Sequence, residues 1–250
     1  MDLSIILPTY NERKNISILV PQLEALCKKH KISCEILVVD DSSPDGTAQE
    51  TRRLNKRFKN VRLVLRPKKE GIGAALQQGY DKAKGAFLLS MDSDLSLDNN
   101  DIPKMLNLLK EGGFDLVVGS RHLQGGGYEK KYLKTRIKSV ISTAGNSFIR
   151  TFLRLLVHDF SLNFRLIKKS VWQQVSPFME EKQHVWLLEQ IYRTRHCGFK
   201  VGELPVTFKD RMYGESKTQL SKQAPLFLKR VLLFGAAARL AALKKVVMRG

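Results

Sequence analysis

Two aspartates separated by a single residue, Asp92 and Asp94, carry the clearest chemical signal in the sequence. They come directly after an apolar run at 86–91, which predicts that they stand at the end of a buried strand. Side chains at positions i and i+2 of an extended segment project from the same side, so two ionised carboxylates there repel each other. A hard divalent cation relieves this repulsion, and a substrate diphosphate can complete its oxygen ligands. The pair therefore predicts a metal–diphosphate site; the plainer alternative is a solvated turn.

Three other polar segments also adjoin apolar runs. Tyr10, in the segment PTYNE, can stack on a nucleotide base or be a half-buried aromatic. Asp40 and Asp41 can accept hydrogen bonds from a base or a ribose hydroxyl, or form a turn that caps the next helix. The segment KEGIG at 69–73 offers a positive charge and close backbone approach, although its spacing is not that of a Walker phosphate loop.

The elements that must position these residues can be read from the hydrophobic pattern. Runs rich in Val, Ile and Leu predict strands buried on both faces of a mainly parallel sheet, at 3–8, 34–40, 61–66, 86–91 and 115–120. Helical patterns lie between them at about 16–27, 45–58, 73–84 and 101–111, and Pro21 predicts a kink or a late start in the first. This order predicts an α/β fold in which ligands bind beyond the carboxyl ends of the strands.

The second half of the sequence predicts helices at 136–156 and 184–196 and a strand at 200–208. The stretch 222–249 is apolar and basic, and it has no window of about 18 uncharged residues, so we expect no membrane-spanning helix there. Two interpretations of this stretch remain open. It forms a basic amphipathic helix on an anionic surface, or it packs on the core with a solvated basic face.

The composition favours an anionic partner. The 250 residues contain 43 Lys and Arg against 24 Asp and Glu, a formal net charge of +19, which attracts nucleic acid, phosphorylated metabolites or an acidic membrane. No nucleic-acid-binding module is recognisable, so nucleic acid is the weakest of these. Three cysteines exclude a disulfide scaffold and indicate reduced core thiols, and Met1 is followed by no apolar leader, so we expect a cytosolic protein.

Six motifs in order resemble those of family 2 glycosyltransferases of the GT-A fold, and more narrowly those of dolichyl-phosphate mannosyltransferases and their polyprenyl-phosphate relatives. They are PTYNE at 8–12, VVDDSSPDGT at 38–47, RPKKEGIGAA at 66–75, MDSDLS at 91–96, GSR at 119–121 and FKDRMYGESK at 208–217. The resemblance implies a GT-A domain, a mainly parallel Rossmann-like sheet with helices on both faces, at 1–217. It leaves 218–250 as a basic C-terminal helical extension.

The resemblance also assigns roles to residues of this chain. Nucleotide binding falls on Pro8, Tyr10, Glu12 and Asp41, to which we add the adjacent Asp40, and Lys69 and Gly71 from the segment 69–73. Binding of Mg²⁺ or Mn²⁺ and the diphosphate falls on Asp92 and Asp94, with Ser96 at a further polar position of the metal site. The basic residues around the diphosphate and the acceptor phosphate are Arg121, Arg211, Lys217 and Arg136, the last replacing an arginine that strict alignment places at Thr135.

The implied reaction is an inverting, metal-dependent transfer of a hexose to dolichyl or polyprenyl phosphate, with mannose from GDP-mannose as the closest match. Glucose from UDP-glucose is the main rival. A soluble sugar acceptor would need a carboxylate base, for which Glu189 is the candidate. A nucleotidyltransferase would share the sheet and the aspartates. The lipid acceptor implies a peripheral position on the cytosolic face of a membrane, reached through an anionic lipid surface, a membrane-anchored partner subunit, or both.

Overall fold

The computed structural model describes residues 1–129, 133–211, 213 and 226–236, and the side chains of residues 133–141 are outside this description. The strands are β1 (Leu3–Thr9), β2 (Cys34–Asp40), β3 (Val61–Leu65), β4 (Phe87–Met91), β5 (Leu116–Ser120), β6 (Gly127–Tyr128), β7 (Phe164–Lys168), β8 (Val201–Pro205) and β9 (Thr207–Phe208). The helices are α1 (Arg13–Lys29), α2 (Thr47–Arg57), α3 (Ile72–Lys82), α4 (Asp101–Glu111), α5 (Leu133–Leu153), α6 (Lys169–Val175) and α7 (Trp186–His196), followed by α8 at 226–236.

Seven of the strands form one mixed sheet with the order β3-β2-β1-β4-β7-β5-β8. β7 runs antiparallel to both of its neighbours, whereas the other pairings in this sheet are parallel. β6 and β9 form a separate parallel pair. The mainly parallel α/β fold predicted from the sequence is therefore confirmed.

The sheet is covered on both faces, as its continuous apolar strands predicted. All seven residues of β2 are buried. Leu37 and Val39 pack into one apolar core, and Ile36 and Val38 pack into the other, because successive side chains of a strand point to opposite faces. This double burial fixes the strands rigidly and leaves their carboxyl ends as the place where polar side chains can collect.

Several local predictions differ from the structure. α1 begins at Arg13 and contains Pro21, so the prediction of a late start is wrong. The predicted strand at 200–208 is interrupted at Val206, between β8 and β9. The sequence pattern did not indicate β7, because its short apolar run lies in the second half of the chain, beyond the regular alternation of strands and helices in the first half. Cys197 is exposed, so the expectation of a core thiol there is wrong, although the other two cysteines are buried and all three are free.

The C-terminal stretch is only partly described. Residues 226–236 are helical, in agreement with a helical extension, while the expected boundary between 217 and 218 lies outside the described residues. Among the residues that the structure describes, no helix combines the length and the apolarity that a membrane crossing requires.

Gly71 and Gly73, at the start of α3, pack closely against residues 182–186, a segment that is distant in the sequence. A Cβ added at Gly73 would overlap the Cβ of Trp186. At Gly71, where φ is +113°, an added Cβ would overlap the carbonyl oxygen of Lys182. The close backbone approach predicted for this glycine segment therefore exists, but its partner is another part of the same chain.

We predict that Gly73→Ala destabilises the fold, because the new methyl group must displace the fully buried Trp186. Overpacking of this kind costs about 1–3 kcal/mol, which lowers Tm by several degrees in a chain of this size. Thermal unfolding followed by circular dichroism measures the effect.

The matched control is Gly145→Ala in α5, where an added Cβ meets no atom within 4 Å. Alanine has the higher helix propensity, so this variant should keep or raise Tm. Equal Tm values for the two variants would contradict the close packing of α3 against residues 182–186.

Candidate active site

A cleft of about 200 Å³ opens at the carboxyl ends of β1, β2 and β4, where the polar segments meet as the sequence predicted. Its walls come from both halves of the chain. The lining residues are Pro8, Thr9, Tyr10, Glu12, Asp41, Lys69, Gly71, Ile72, Ala75, Asp92, Ser93, Asp94, Gln183, His184 and Arg211.

The loop after β1 is held by side chains of the loop after β2. The backbone N–H of Asn11 donates to Ser43 Oγ at 2.9 Å, and the N–H of Glu12 donates to Thr47 Oγ1 at 3.0 Å. Asn11 has a φ of 57°, a conformation that asparagine tolerates better than most residues. These contacts explain why the segment VVDDSSPDGT is rich in Ser, Thr and Asp: its side chains position Tyr10 and Glu12 at the cleft.

The adjacent aspartates at the end of β2 have different surroundings. Asp40 is fully buried and accepts hydrogen bonds from Thr9 Oγ1 and from both Ser43 N and Ser43 Oγ, so it lies behind the cleft and holds the loops together. Asp41 lines the cleft and forms a buried ion pair with Arg66 at 2.6 Å. Burial raises the pKa of Asp41 despite the charge of Arg66.

Lys69 and Tyr10 also line the cleft and contact each other. The Lys69 ammonium lies 4.2 Å from the centroid of the Tyr10 ring, which is a cation–π distance. The pair presents a half-buried aromatic face and a positive charge on neighbouring surfaces of the cleft. This combination suits the stacking of a flat base close to a negatively charged group.

Asp92 is positioned by a chain of hydrogen bonds that begins in the core. Tyr80 donates to Ser90 Oγ at 2.9 Å, Ser90 donates to Asn163 Oδ1 at 2.7 Å, and Asn163 Nδ2 donates to Asp92 Oδ1 at 3.1 Å. Burial and the charge of Asp94 raise the pKa of Asp92 to about 7. Asn163, which β7 brings beside β4, was not expected from the sequence.

Asp94 is held by the tight turn that follows it. Ser96 donates both its backbone N–H, at 3.1 Å, and its hydroxyl, at 2.5 Å, to Asp94 Oδ1, while Leu95 takes a φ of 64°. Arg211 Nε lies 2.9 Å from Asp94 Oδ2, and the Lys209 N–H donates to the Ser96 carbonyl at 2.8 Å. The contact with Arg211 is electrostatic, since Oδ2 is buried and accepts no hydrogen bond from the described residues.

The charges of the cleft fit a divalent cation. In the part of the chain that the structure describes, four carboxylates line it against two cationic side chains, although the chain as a whole is strongly basic. Burial and the charge of Asp94 both raise the pKa of Asp92, and Oδ2 of Asp94 forms an ion pair with Arg211 but accepts no hydrogen bond from the described residues. Oxygen ligands of this kind suit Mg²⁺ or Mn²⁺, whose remaining ligands can be water and a diphosphate.

Arg121 does not line the cleft. Its guanidinium forms two hydrogen bonds with Asp159, at 2.7 and 2.9 Å, and a third with Ser161 Oγ at 2.7 Å. Burial would raise the pKa of Asp159, but the charge and the hydrogen bonds of Arg121 hold it at about 2. The rings of Tyr128 and Phe208 lie about the guanidinium at 5.1 and 5.5 Å. Arg121 is therefore part of a fixed buried network behind the site.

The candidate base Glu189 is also remote from the cleft lining. Its side chain is fully buried and accepts backbone N–H groups of Glu180 and Glu181 at 3.1 and 2.8 Å. Arg193 lies 3.3 Å from its other oxygen. These contacts show a structural carboxylate that holds the segment before α7.

The structure brings together most of the residues that the sequence placed in the site. Those that line the cleft are Pro8, Tyr10, Glu12, Asp41, Lys69, Gly71, Asp92, Asp94 and Arg211. Asp40, Ser96 and Arg121 lie behind it. The backbone of Arg136 belongs to α5, but its side chain and the whole of Lys217 are outside the described residues.

Six lining residues were not singled out as site residues from the sequence: Thr9, Ile72, Ala75, Ser93, Gln183 and His184. The last two lie about 90 residues beyond the paired aspartates, in a stretch that matches none of the motifs. No local pattern marks them, because they reach the cleft only through the packing of residues 182–186 on the glycines of α3.

Comparison with known proteins gives a consistent picture. The family description "Glycosyl transferase family 2" matches residues 4–175. A polyprenol monophosphomannose synthase of Mycolicibacterium smegmatis is 31% identical over 218 residues, which are 85% of this chain and 79% of the relative. An undecaprenyl-phosphate mannosyltransferase of Micrococcus luteus is 30% identical over 221 residues, covering 85% of each chain.

Solved structures with the same fold include glucosyl-3-phosphoglycerate synthase of Mycobacterium tuberculosis. Its complex with Mn²⁺, UDP and phosphoglyceric acid has a TM-score of 0.65 at 16% identity, covering 93% of this chain and 76% of that one. Its complex with UDP has a TM-score of 0.69 at 15% identity, covering 94% and 80%. At such low identity the likeness concerns the fold, which is of the GT-A type.

We predict that the metal-free protein is stabilised by Asp92→Asn at pH 8 and much less at pH 4.5. The pKa of this carboxyl is about 7 in the folded chain, above its ordinary value of 3.8, so wild-type stability falls as the pH rises between these values. The amide of asparagine carries no charge, so the variant does not lose this stability as the pH rises. Thermal unfolding in EDTA at the two pH values measures it.

Addition of Mn²⁺ at pH 8 should raise Tm of the wild type and not that of Asp92→Asn, since the cation offsets the repulsion that the variant lacks. Asp98→Asn, at an exposed aspartate four residues beyond Asp94, is the control and should keep the wild-type response to Mn²⁺. A pH dependence unchanged by Asp92→Asn would show that the repulsion is not centred on this pair.

Proposed function

Because the chain belongs to glycosyl transferase family 2, we propose that this glycosyltransferase moves mannose from GDP-mannose to a polyprenyl phosphate with inversion at the anomeric carbon. The observation that carries the proposal is the pair Asp92 and Asp94, with Arg211 beside it, in a cleft that needs a cation to accept a diphosphate. The names of two relatives, at 31% and 30% identity, support mannose and a polyprenyl acceptor.

The donor lies along the cleft in the order of the strands. The base lies at the ends of β2 and β1, where Asp41 can accept a hydrogen bond from it and Tyr10 can stack on it beside Lys69, and the ribose faces Glu12. The diphosphate reaches Asp92 at the end of β4. This order follows Asp41, Tyr10 and the paired aspartates across three neighbouring strands of the sheet.

The paired aspartates are the residues that would hold Mg²⁺ or Mn²⁺. When bound, the cation neutralises negative charge that develops on the leaving diphosphate. Ser96 fixes the orientation of Asp94, and Asn163 fixes that of Asp92, so both carboxylates are in place before the donor arrives.

The acceptor needs no general base. An oxygen of the lipid phosphate is already ionised near neutral pH; it forms the new bond to the anomeric carbon from the face opposite the diphosphate, which leaves as GDP. The buried position of Glu189 rules out only the base proposed from the sequence for a soluble sugar acceptor. The cationic residues proposed to offset the repulsion between phosphates are Arg211, Lys217 and Arg136, with Arg121 supporting the site from behind.

The outer face of α8 is proposed to meet the membrane that carries the acceptor. Its inner face is fixed, because Val231 and Phe234 are buried and the Phe234 ring stacks on Tyr192 at 4.1 Å. The outer leucines, each about half exposed, are Leu226, Leu228, Leu232 and Leu233. Residues 226–250 contain six Lys or Arg and no Asp or Glu, which suits an anionic lipid surface.

We predict that the wild type, with Mn²⁺, transfers radiolabelled mannose from GDP-mannose to polyprenyl phosphate and releases GDP. Asp94→Ala should lower the rate at least about 100-fold, because the carboxylate acts on charge that develops during the reaction. Asp98→Ala is the matched control and should retain the wild-type rate.

The same assay separates the alternatives. Transfer from UDP-glucose alone would replace the mannosyl assignment, release of pyrophosphate would indicate a nucleotidyltransferase, and labelling of a free sugar would indicate a soluble acceptor. Full activity of Asp94→Ala in the presence of EDTA would refute the metal site.

For the membrane face, we predict that wild type floats with vesicles containing phosphatidylglycerol, less so at high salt, and that Leu228→Glu/Leu232→Glu abolishes flotation. Leu65→Glu is the control, since this leucine is 48% exposed but lies on the edge strand β3. Failure of the wild type to float would contradict direct contact and leave attachment to a membrane-anchored partner.

A further inference from the structure

His184 is a cleft residue without a role in the chemistry described so far. It lies in the segment 182–186, which the glycines of α3 hold against the cleft, and it faces the same space as Asp92, Asp94 and Arg211. The segment is fixed further by Gln183, whose side chain donates to the carbonyl of Glu70 at 2.9 Å. The imidazole is therefore presented on a rigid support.

The protonation state of the ring is also fixed. Burial and the positive charge of Arg165 lower the pKa of His184 to about 4, so the ring is neutral in the physiological range. The backbone carbonyl of Ser161 acts in the opposite direction, to raise this pKa, which favours a ring N–H on the nitrogen that faces it. Ser161 is itself held by Arg121, through a hydrogen bond of 2.7 Å to its hydroxyl. The other ring nitrogen of a neutral imidazole is an acceptor only.

The order of the strands locates this acceptor relative to the donor. Asp41, the loop with Tyr10, and the paired aspartates follow β2, β1 and β4, while Ser161 precedes β7, the next strand of the sheet. If the base lies at the first two loops and the diphosphate at the aspartates, as in the proposed function, then the sugar extends toward β7. His184 stands on that side of the cleft.

We propose that His184 recognises the hexose of the donor by accepting a hydrogen bond from one of its hydroxyl groups. A neutral acceptor cannot donate to the oxygens of a diphosphate, whereas a sugar hydroxyl supplies the hydrogen that it needs. This inference rests on the proposed function, because it takes the donor to be a nucleoside diphosphate sugar. The network of Arg121, Asp159 and Ser161 then acts by holding the ring in place.

A metal-ligand role for His184 is the closest alternative, since metal-bound imidazoles commonly donate their second N–H to a carbonyl. Among the described residues, however, no three His, Cys, Asp or Glu side chains are grouped closely enough to hold a metal. Replacing the imidazole distinguishes the two roles: affinity for the sugar falls if His184 binds the hexose, and affinity for the metal falls if it is a metal ligand.

The test is calorimetric titration of GDP, GDP-mannose and Mn²⁺ into the wild type and into His184→Phe and His184→Asn. We expect His184→Phe to raise the Kd for GDP-mannose about 3- to 10-fold, the usual range for one neutral hydrogen bond. The Kd values for GDP and Mn²⁺ should stay within twofold of those of the wild type. His184→Asn offers an amide oxygen and should recover part of the loss. His30→Phe, at an exposed histidine after α1, is the control and should bind all three normally.

Equal weakening of GDP and GDP-mannose would overturn the inference by placing His184 at the nucleotide, and weaker Mn²⁺ binding would place it at the metal. No change in any titration would show that the ring does not contact the donor.

If His184→Phe unfolds, the asparagine variant carries the comparison. A wild type that binds neither GDP-mannose nor UDP-glucose would instead refute the proposed function, and if it prefers UDP-glucose, the pair UDP and UDP-glucose serves the same test.

Discussion

The repulsion between Asp92 and Asp94 is the constraint around which the site is built. Although the chain is basic, four acidic side chains meet at one edge of the sheet, and burial together with the charge of Asp94 raises the pKa of Asp92 to about 7. Asn163 and Ser96 hold the two carboxylates in place against this repulsion, and Arg211 offsets part of their charge. A divalent cation held by this pair would let the cleft accept a diphosphate.

Packing between the two halves of the chain turns this edge into an enclosed cleft. The first half supplies three strand ends whose loops are joined by side-chain hydrogen bonds, such as that from the Glu12 N–H to Thr47. The second half closes the cleft from one side, because Gly71 and Gly73 leave room for residues 182–186. The same glycines therefore determine where residues 182–186, and with them His184, reach the cleft.

The sequence predicted the parts of this arrangement that depend on local order. Continuous apolar runs marked the parallel strands, and the polar residues after them had to meet at one edge, so the order of the chain sufficed to place Asp41, Asp92 and Asp94 there. Asp40 and Arg121 show the limit of that reasoning. Each has the residue type and spacing of a ligand-binding residue, but its side chain bonds to neighbours that only the tertiary structure brings close. Asp40 accepts hydrogen bonds from Thr9 and Ser43, and Arg121 forms an ion pair with Asp159.

The residues that the sequence could not place enter through β7, the antiparallel strand between β4 and β5. Its register sets Arg165 opposite Ser90, so a cation is buried beneath the cleft, bonded to the carbonyls of Phe160 and Leu162 at 2.9 and 3.0 Å. A buried charge of this kind is costly, and burial lowers the pKa of Arg165 to about 10, which still leaves it protonated. An apolar side chain would suit the core better. The gain lies in the positive potential beneath an acidic cleft: Arg165 attracts the charge of Asp92, and burial together with Arg165 keeps His184 neutral.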